Sequence, residues 1–163
     1  MRMKLTGAAL ALAGGAFLAS PTVPARAAVF TVGSLGQPWN GGGGSVCMDV
    51  SGDSLTPGDP VIAFHCHASG NQQFEFSGTT IYAMGGTRCI DVKGAARTPG
   101  TPIDSYTCNG QANQVWVYAD APYAGSIRNP VSGLCLDATT LADQVVLVIN
   151  PCNGSAGQTW QIK

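Results

Sequence analysis

The sequence predicts an all-β domain: three repeated units of about four short strands each, closed around a pseudo-threefold axis. Three observations carry this. The chain opens the same Cys-apolar-Asp pattern three times, as "CMDV" from Cys47, "CIDV" from Cys89 and "CLDA" from Cys135. Each opening has a second cysteine, at Cys66, Cys108 or Cys152, followed at fixed spacing by Gln72, Gln114 or Gln158 and then by Phe74, Trp116 or Trp160. Between these marks lie short runs rich in β-branched and aromatic residues, punctuated by Gly, Pro, Asn and Ser, with no helical period beyond the N-terminal segment.

Taken in order, the first segment is not part of the domain. Arg2 and Lys4 precede an apolar Ala/Leu/Gly run from Leu5 to Ala19, Pro21 to Pro24 break it, and Ala25-Arg26-Ala27 puts small residues where a signal peptidase reads. Residues 1–27 are therefore expected to be a secretory signal, cleaved near Ala27 or Ala28, and the domain to span 28–163 with repeats at about 28–76, 77–118 and 119–163. A membrane anchor is the other reading, but the run is about 15 residues and interrupted by glycine, too short to cross a bilayer. Without the leader, five basic residues face nine acidic ones. No basic run remains to neutralise phosphates, which sets nucleic acid aside and disfavours an anionic membrane surface; no later segment reads as transmembrane, so no membrane insertion is expected.

Within the repeats, strands are expected at Phe30–Val32, Thr80–Ala83, Ile90–Val92, Ile103–Tyr106, Val115–Tyr118 and Ser126–Arg128. "TPGD" at Thr56–Asp59 and "TPGT" at Thr98–Thr101 suit type II turns, since Pro fixes φ at the second position and Gly accepts positive φ at the third. The third unit lacks this tetrapeptide. Six cysteines allow 15 pairings, but the repeat singles out Cys47–Cys66, Cys89–Cys108 and Cys135–Cys152, one staple per unit. Each such loop contributes about 3 kcal/mol by chain entropy.

The three Q-x-(W/F) motifs, Gln72-Gln73-Phe74, Gln114-Val115-Trp116 and Gln158-Thr159-Trp160, each in phase with a C-(M/I/L)-D opening, resemble the ricin B-chain type β-trefoil lectins over essentially the whole mature chain. The resemblance implies a β-trefoil. It implies structural roles for Gln72, Phe74, Gln114, Trp116, Gln158 and Trp160. It also implies a sugar site per repeat, made of the opening Asp, an aromatic two residues before the second Cys, and the Asn just before the Gln. The chemistry suits a sugar: an aromatic platform takes the C–H face, a carboxylate accepts from neighbouring hydroxyls, and an amide both donates and accepts.

The second repeat has all three, Asp91, Tyr106 and Asn113, and carries Asp104 where the family often has Gln. The first has Asp49, Phe64 and Asn71, with Ile62 at that accessory position, and is expected to be weaker. The third keeps Asp137 but has Asn150 and Gly157 in place of the aromatic and the Asn, and is expected to serve the fold alone. Plainer readings stand beside these: the Asp residues could cap turns, Tyr106 and Phe64 could be half-buried strand residues, and Asn71 and Asn113 could be turn formers.

No cofactor is expected. His65-Cys66-His67 invites a metal, but zinc needs further ligands and Cys66 is assigned to a disulfide, so surface histidines are expected and no metal. Trp39 before Gly41–Gly44 is read as a loop. Glycosidic chemistry needs two placed carboxylates; the only Glu is Glu75, and no nucleophile set stands out, so no enzymatic activity is expected. The reading is a free-standing secreted, extracellular lectin for galactose-type sugars or polysaccharides such as xylan. Shallow sites of millimolar strength then call for two engaged at once, on one chain or in a homo-oligomer. Asp91→Asn and Tyr106→Ala are each expected to remove most binding while leaving the fold. The alternatives are a β-trefoil protein-interaction or protease-inhibitor protein without sugar binding, and a hydrolase.

Overall fold

The computed structural model describes residues 29–30, 32–34, 46–67, 69–119 and 123–162. The leader read at residues 1–27, Trp39 and the Gly41–Gly44 run lie outside the described residues. Fourteen strands are described: β1 (Val29–Phe30), β2 (Val32–Ser34), β3 (Val46–Val50), β4 (Asp59–His65), β5 (Phe74–Ser77), β6 (Thr80–Ala83), β7 (Arg88–Val92), β8 (Thr101–Tyr106), β9 (Val117–Ala119), β10 (Ser126–Asn129), β11 (Leu134–Asp137), β12 (Val145–Val146), β13 (Val148–Asn150) and β14 (Trp160–Ile162). All helical segments among the described residues are three-residue 3-10 turns.

Pairing repeats with the sequence. Within each unit the first strand pairs the second and the second pairs the third: β2–β3–β4, β6–β7–β8, β10–β11–β13. The fourth strand crosses to the next unit, as β5–β6, β9–β10 and β14–β2, so the ring closes. The third strands meet each other at the axis through β4–β8, β8–β13 and β12–β4. The fold is an all-β trefoil with pseudo-threefold symmetry. Closure leaves few open edges for a foreign strand.

The core is layered by threes. Met48, Ile90 and Leu136 follow the first cysteines, Val61 and Ile103 come from the third strands β4 and β8 and Leu147 from the residue between β12 and β13, and Phe74, Trp116 and Trp160 from the Q-x-(W/F) motifs; all nine are at most 1% exposed. No one unit has enough apolar surface to form this centre alone, so the sharing of aromatics is what makes three small modules one domain. Disulfides join Cys47 to Cys66, Cys89 to Cys108 and Cys135 to Cys152, each within its unit.

The two Pro-Gly turns have Gly58 at φ 96° and Gly100 at φ 83°, with Asp59 N–H donating to Thr56 O and Thr101 N–H to Thr98 O, the type II pattern. The third unit puts Gln144 at the corresponding place, also at positive φ, 63°. The run Val115–Tyr118 is not strand throughout. Val115 N–H bonds back to Ala112 O in a 3-10 turn, which delays β9 to Val117.

Candidate functional site

The same register places three side chains of each unit together. Strand pairing sets Asp49 opposite Ile62 and Cys47 opposite Phe64, Asp91 opposite Asp104 and Cys89 opposite Tyr106, Asp137 opposite Val148 and Cys135 opposite Asn150. Residues two apart on a strand share a face, so in each unit the opening Asp, the accessory position and the aromatic position lie on one side of the pair. The 3-10 turns Gly70–Gln72, Ala112–Gln114 and Ala156–Gln158 bring the third component, Asn71, Asn113 or Gly157, back to the same Asp.

The glutamines explain why the turn follows the second Cys at a fixed distance. Gln114 Nε2 donates to Asp91 Oδ2 (2.8 Å) and Thr107 O (2.9 Å), and its Oε1 accepts from Asn109 N–H (2.9 Å). Gln72 does the same with Asp49, His65 O and His67 N–H, and Gln158 with Asp137, Pro151 O and Asn153 N–H. Each glutamine thus sews the segment around the second Cys to the opening strand. The tryptophans extend the seam: Trp116 Nε1 donates to Ile90 O and Trp160 Nε1 to Leu136 O.

In the second unit, Asn113 Nδ2 donates to Asp91 Oδ1 at 2.7 Å and to Val92 O at 3.2 Å. Its Oδ1 and Oδ1 of Asp104 are buried without a partner. These atoms border a cleft of about 600 Å³ lined by Asp91, Lys93, Asp104, Tyr106, Asn109 and Asn113, with Gly58 arriving from the first unit. Tyr106 is 43% exposed, an open ring beside buried polar groups. Burial raises the Asp91 carboxyl above its ordinary pKa, opposed by the bonds from Gln114 and Asn113. Asp104 is pushed up to about 6, first by burial and then by the Asp91 charge, with Lys93 pulling the other way.

In the first unit, Asn71 Nδ2 donates to Asp49 Oδ1 (2.9 Å), and Asn71 Oδ1 is buried without a partner. The cleft here is of similar size, about 660 Å³, and is lined by Asp49, Ile62, Phe64, His67 and Asn71 from its own unit and by Gln144 and Val146 from the third. His67 Nδ1 accepts from Ser69 N–H, and its Nε2 lies 3.3 Å from Asp49 Oδ2. Asp49 too is raised by burial, opposed by Gln72, His67 and Asn71. His65 instead faces outward and pairs with Asp143.

In the third unit the corresponding place is taken up by protein atoms. Asn150 Nδ2 donates to Asp137 Oδ2 (3.0 Å), while its Oδ1 accepts from Gly100 N–H (3.1 Å). Gly157 O accepts from Ala138 N–H, and a Cβ at Gly157 would overlap the Ala138 carbonyl oxygen and stand 2.9 Å from Asp137 Oδ1.

The structure therefore brings Asp91, Asp104, Tyr106 and Asn113 to one cleft and Asp49, Phe64 and Asn71 to another. Sequence reasoning missed His67, Lys93 and Gln144. His67 is hidden by its place after a disulfide cysteine. Gln144 is hidden because it belongs to a different repeat from the cleft it lines. No group of three or more His, Cys, Asp or Glu suited to a metal occurs among the described residues.

Residues 40–160 match the model of the ricin-type β-trefoil lectin domain. The chain belongs to this family, a family of carbohydrate-binding domains. No curated protein matches it. Among solved structures, the chain is similar to a designed threefold-symmetric protein, ThreeFoil, at 21% identity and TM-score 0.70, covering 82% of this chain and 96% of that one. It is similar to a non-toxic homologue of type II RIPs from bitter gourd, Momordica charantia, in complex with α-methyl-D-galactoside, at 23% identity and TM-score 0.69, covering 84% of this chain. The match spans 48% of that chain, about half its length. A third similar structure is the C-half of an earthworm R-type lectin in complex with GalNAc, at 15% identity and TM-score 0.64, covering 83% and 97%. At these identities the likeness speaks for the fold. No helix among the described residues is long and apolar enough to cross a membrane.

Proposed function

We propose that this protein is a secreted lectin that binds galactose-type glycans through the second-repeat cleft, with a further site in the first repeat. One observation carries the reading: in the second cleft two buried acceptors, Asn113 Oδ1 and Asp104 Oδ1, lack protein partners beside an open tyrosine ring. A buried acceptor without a donor costs about 1–3 kcal/mol, and a sugar hydroxyl supplies the donor. Tyr106 offers the apolar face on which a pyranose stacks. The first cleft repeats the arrangement with Asn71 Oδ1 and Phe64. The α-methyl-D-galactoside and the GalNAc held by two similar structures favour galactose-type sugars over xylan. The three disulfides suit an oxidising compartment outside the cell.

Asp91 also holds the fold, since Asn113 and Gln114 both donate to it. Asp91→Asn would set an amide N–H against one of those donors, so it tests stability and binding together. Tyr106→Ala is the cleaner probe. In calorimetric titration with methyl α-D-galactoside it is expected to lose at least about tenfold in affinity at the second cleft, with an unchanged unfolding midpoint. Unchanged affinity would overturn the assignment, and a blank glycan array with folded, disulfide-intact protein would favour a protein-interaction role instead.

A further inference from the structure

In the third unit Asp137 is engaged by Asn150 and backed by the Gly157 backbone, yet this unit completes the cleft of the first. Gln144 and Val146 of the third unit line the first-repeat cleft beside Asp49, Phe64 and His67. The corresponding turn residue is Gly58 at the second cleft and Gly100 at the third unit's Asn150. Three features set Gln144 apart. Its backbone is left-handed, at φ 63°, where the other two turns have glycine. A side chain longer than Asn or Asp in that region is uncommon and strained, and such strain collects where function keeps it. The turn is also clamped to the first unit: Asp143 Oδ1 accepts from His65 N–H (2.6 Å) and Asp143 Oδ2 lies 2.9 Å from His65 Nδ1. Finally, the accessory position of this cleft is Ile62, which has no polar atom to offer a sugar, and Ile62 pairs with Val146, two residues from Gln144.

We propose that Gln144 is a ligand-contacting residue of the first-repeat cleft, supplied across the unit boundary, and that its amide takes the part Ile62 cannot, bonding a hydroxyl of a neutral galactose-type sugar. Asp143 is the positioning residue that fixes the turn on His65. The proposal rests on the lectin reading of the first cleft. The side-chain amide both donates and accepts, so it suits a hydroxyl that does the same.

The test uses the full chain carrying Tyr106→Ala, so that the first cleft dominates, titrated with methyl α-D-galactoside and followed by amide NMR. Addition of sugar is expected to shift the Gln144 side-chain NH2 signals together with the His67 and Asn71 signals. Gln144→Gly, which installs the residue of the other two turns, is expected to weaken this binding about fivefold, the ratio one hydrogen bond gives. Its melting temperature should hold or rise, because the left-handed strain is relieved. Gln144→Asn, an amide that tolerates this backbone, should recover part of the affinity. Loss of binding with a raised melting temperature separates a contact from a structural role. Residual binding that Gln144→Gly leaves unchanged overturns the role of Gln144 alone. No sugar-induced shift in the cleft overturns the first-repeat site, and the inference with it.

Discussion

At Asp104 a carboxyl faces Asp91 across a strand pair while 5% exposed, so ionising it works against the fold. Its pKa, about 6 in the folded state, lies above the ordinary carboxylate value. The protonated form is therefore favoured by folding. Its contribution is fully present below about pH 4 and is lost as pH rises through 6. Asp104→Asn should gain about 2 kcal/mol over the natural protein at pH 7, and the gain should vanish near pH 4 in urea unfolding at the two pH values. Gly157 offers the opposite case. Any side chain there meets the Ala138 carbonyl, so Gly157→Ala should cost about 2 kcal/mol or more in the same measurement. At this scale the spacing of Asp, aromatic and Asn was readable because each sits at a fixed offset from a cysteine. The sequence showed that an Asn is missing from the third repeat. It could not show that the backbone of Gly157 occupies the place, since that depends on a contact with Ala138.

The element that decides local architecture is the hairpin-and-turn module: two strands, a disulfide, and a glutamine reaching back across them. Each of Gln72, Gln114 and Gln158 joins three backbone or carboxylate partners while at most 1% exposed. Gln114→Ala should lower stability by about 3 kcal/mol and broaden the Asn113 signals in NMR, because the 3-10 turn loses its tether to Asp91. Replacing Cys135 and Cys152 together by serine should cost about 3 kcal/mol by denaturant melting. Strand existence was legible from β-branched runs between Gly and Pro. The start of β9 was not, because Val115-Trp116 have strand-like side chains but are held by the preceding turn and by Trp116 N–H donating to Thr79 O. The Pro-Gly turns announced themselves by composition; Asp143-Gln144 performs the same turn with residues that give no such signal.

For the whole molecule, the threefold ring spaces its clefts on different faces of the axis, with two open and one closed by Asn150 and Gly157. Two shallow sites on one rigid body favour surfaces dense in sugar over free monosaccharide. Phe64→Ala should therefore reduce retention on a galactose-coated surface about tenfold while leaving the solution affinity of the second cleft for methyl α-D-galactoside unchanged. The pseudo-threefold plan was legible because three copies of one pattern, each with its own disulfide, cannot bury their aromatics separately. What crosses between copies was not legible: the β4–β8, β8–β13 and β12–β4 pairs join residues far apart in sequence, and the first cleft borrows its wall through one of them.

Strand β14 lies antiparallel to β2 with Ile162 opposite Val32. The last described strand thus returns to the first unit, and the ring of paired strands closes on itself. A circularly permuted gene opened at the Gly78-Thr79 hairpin, with a short linker carrying Ile162 back to Val29, should yield a protein with the same three staples and the same two mouths.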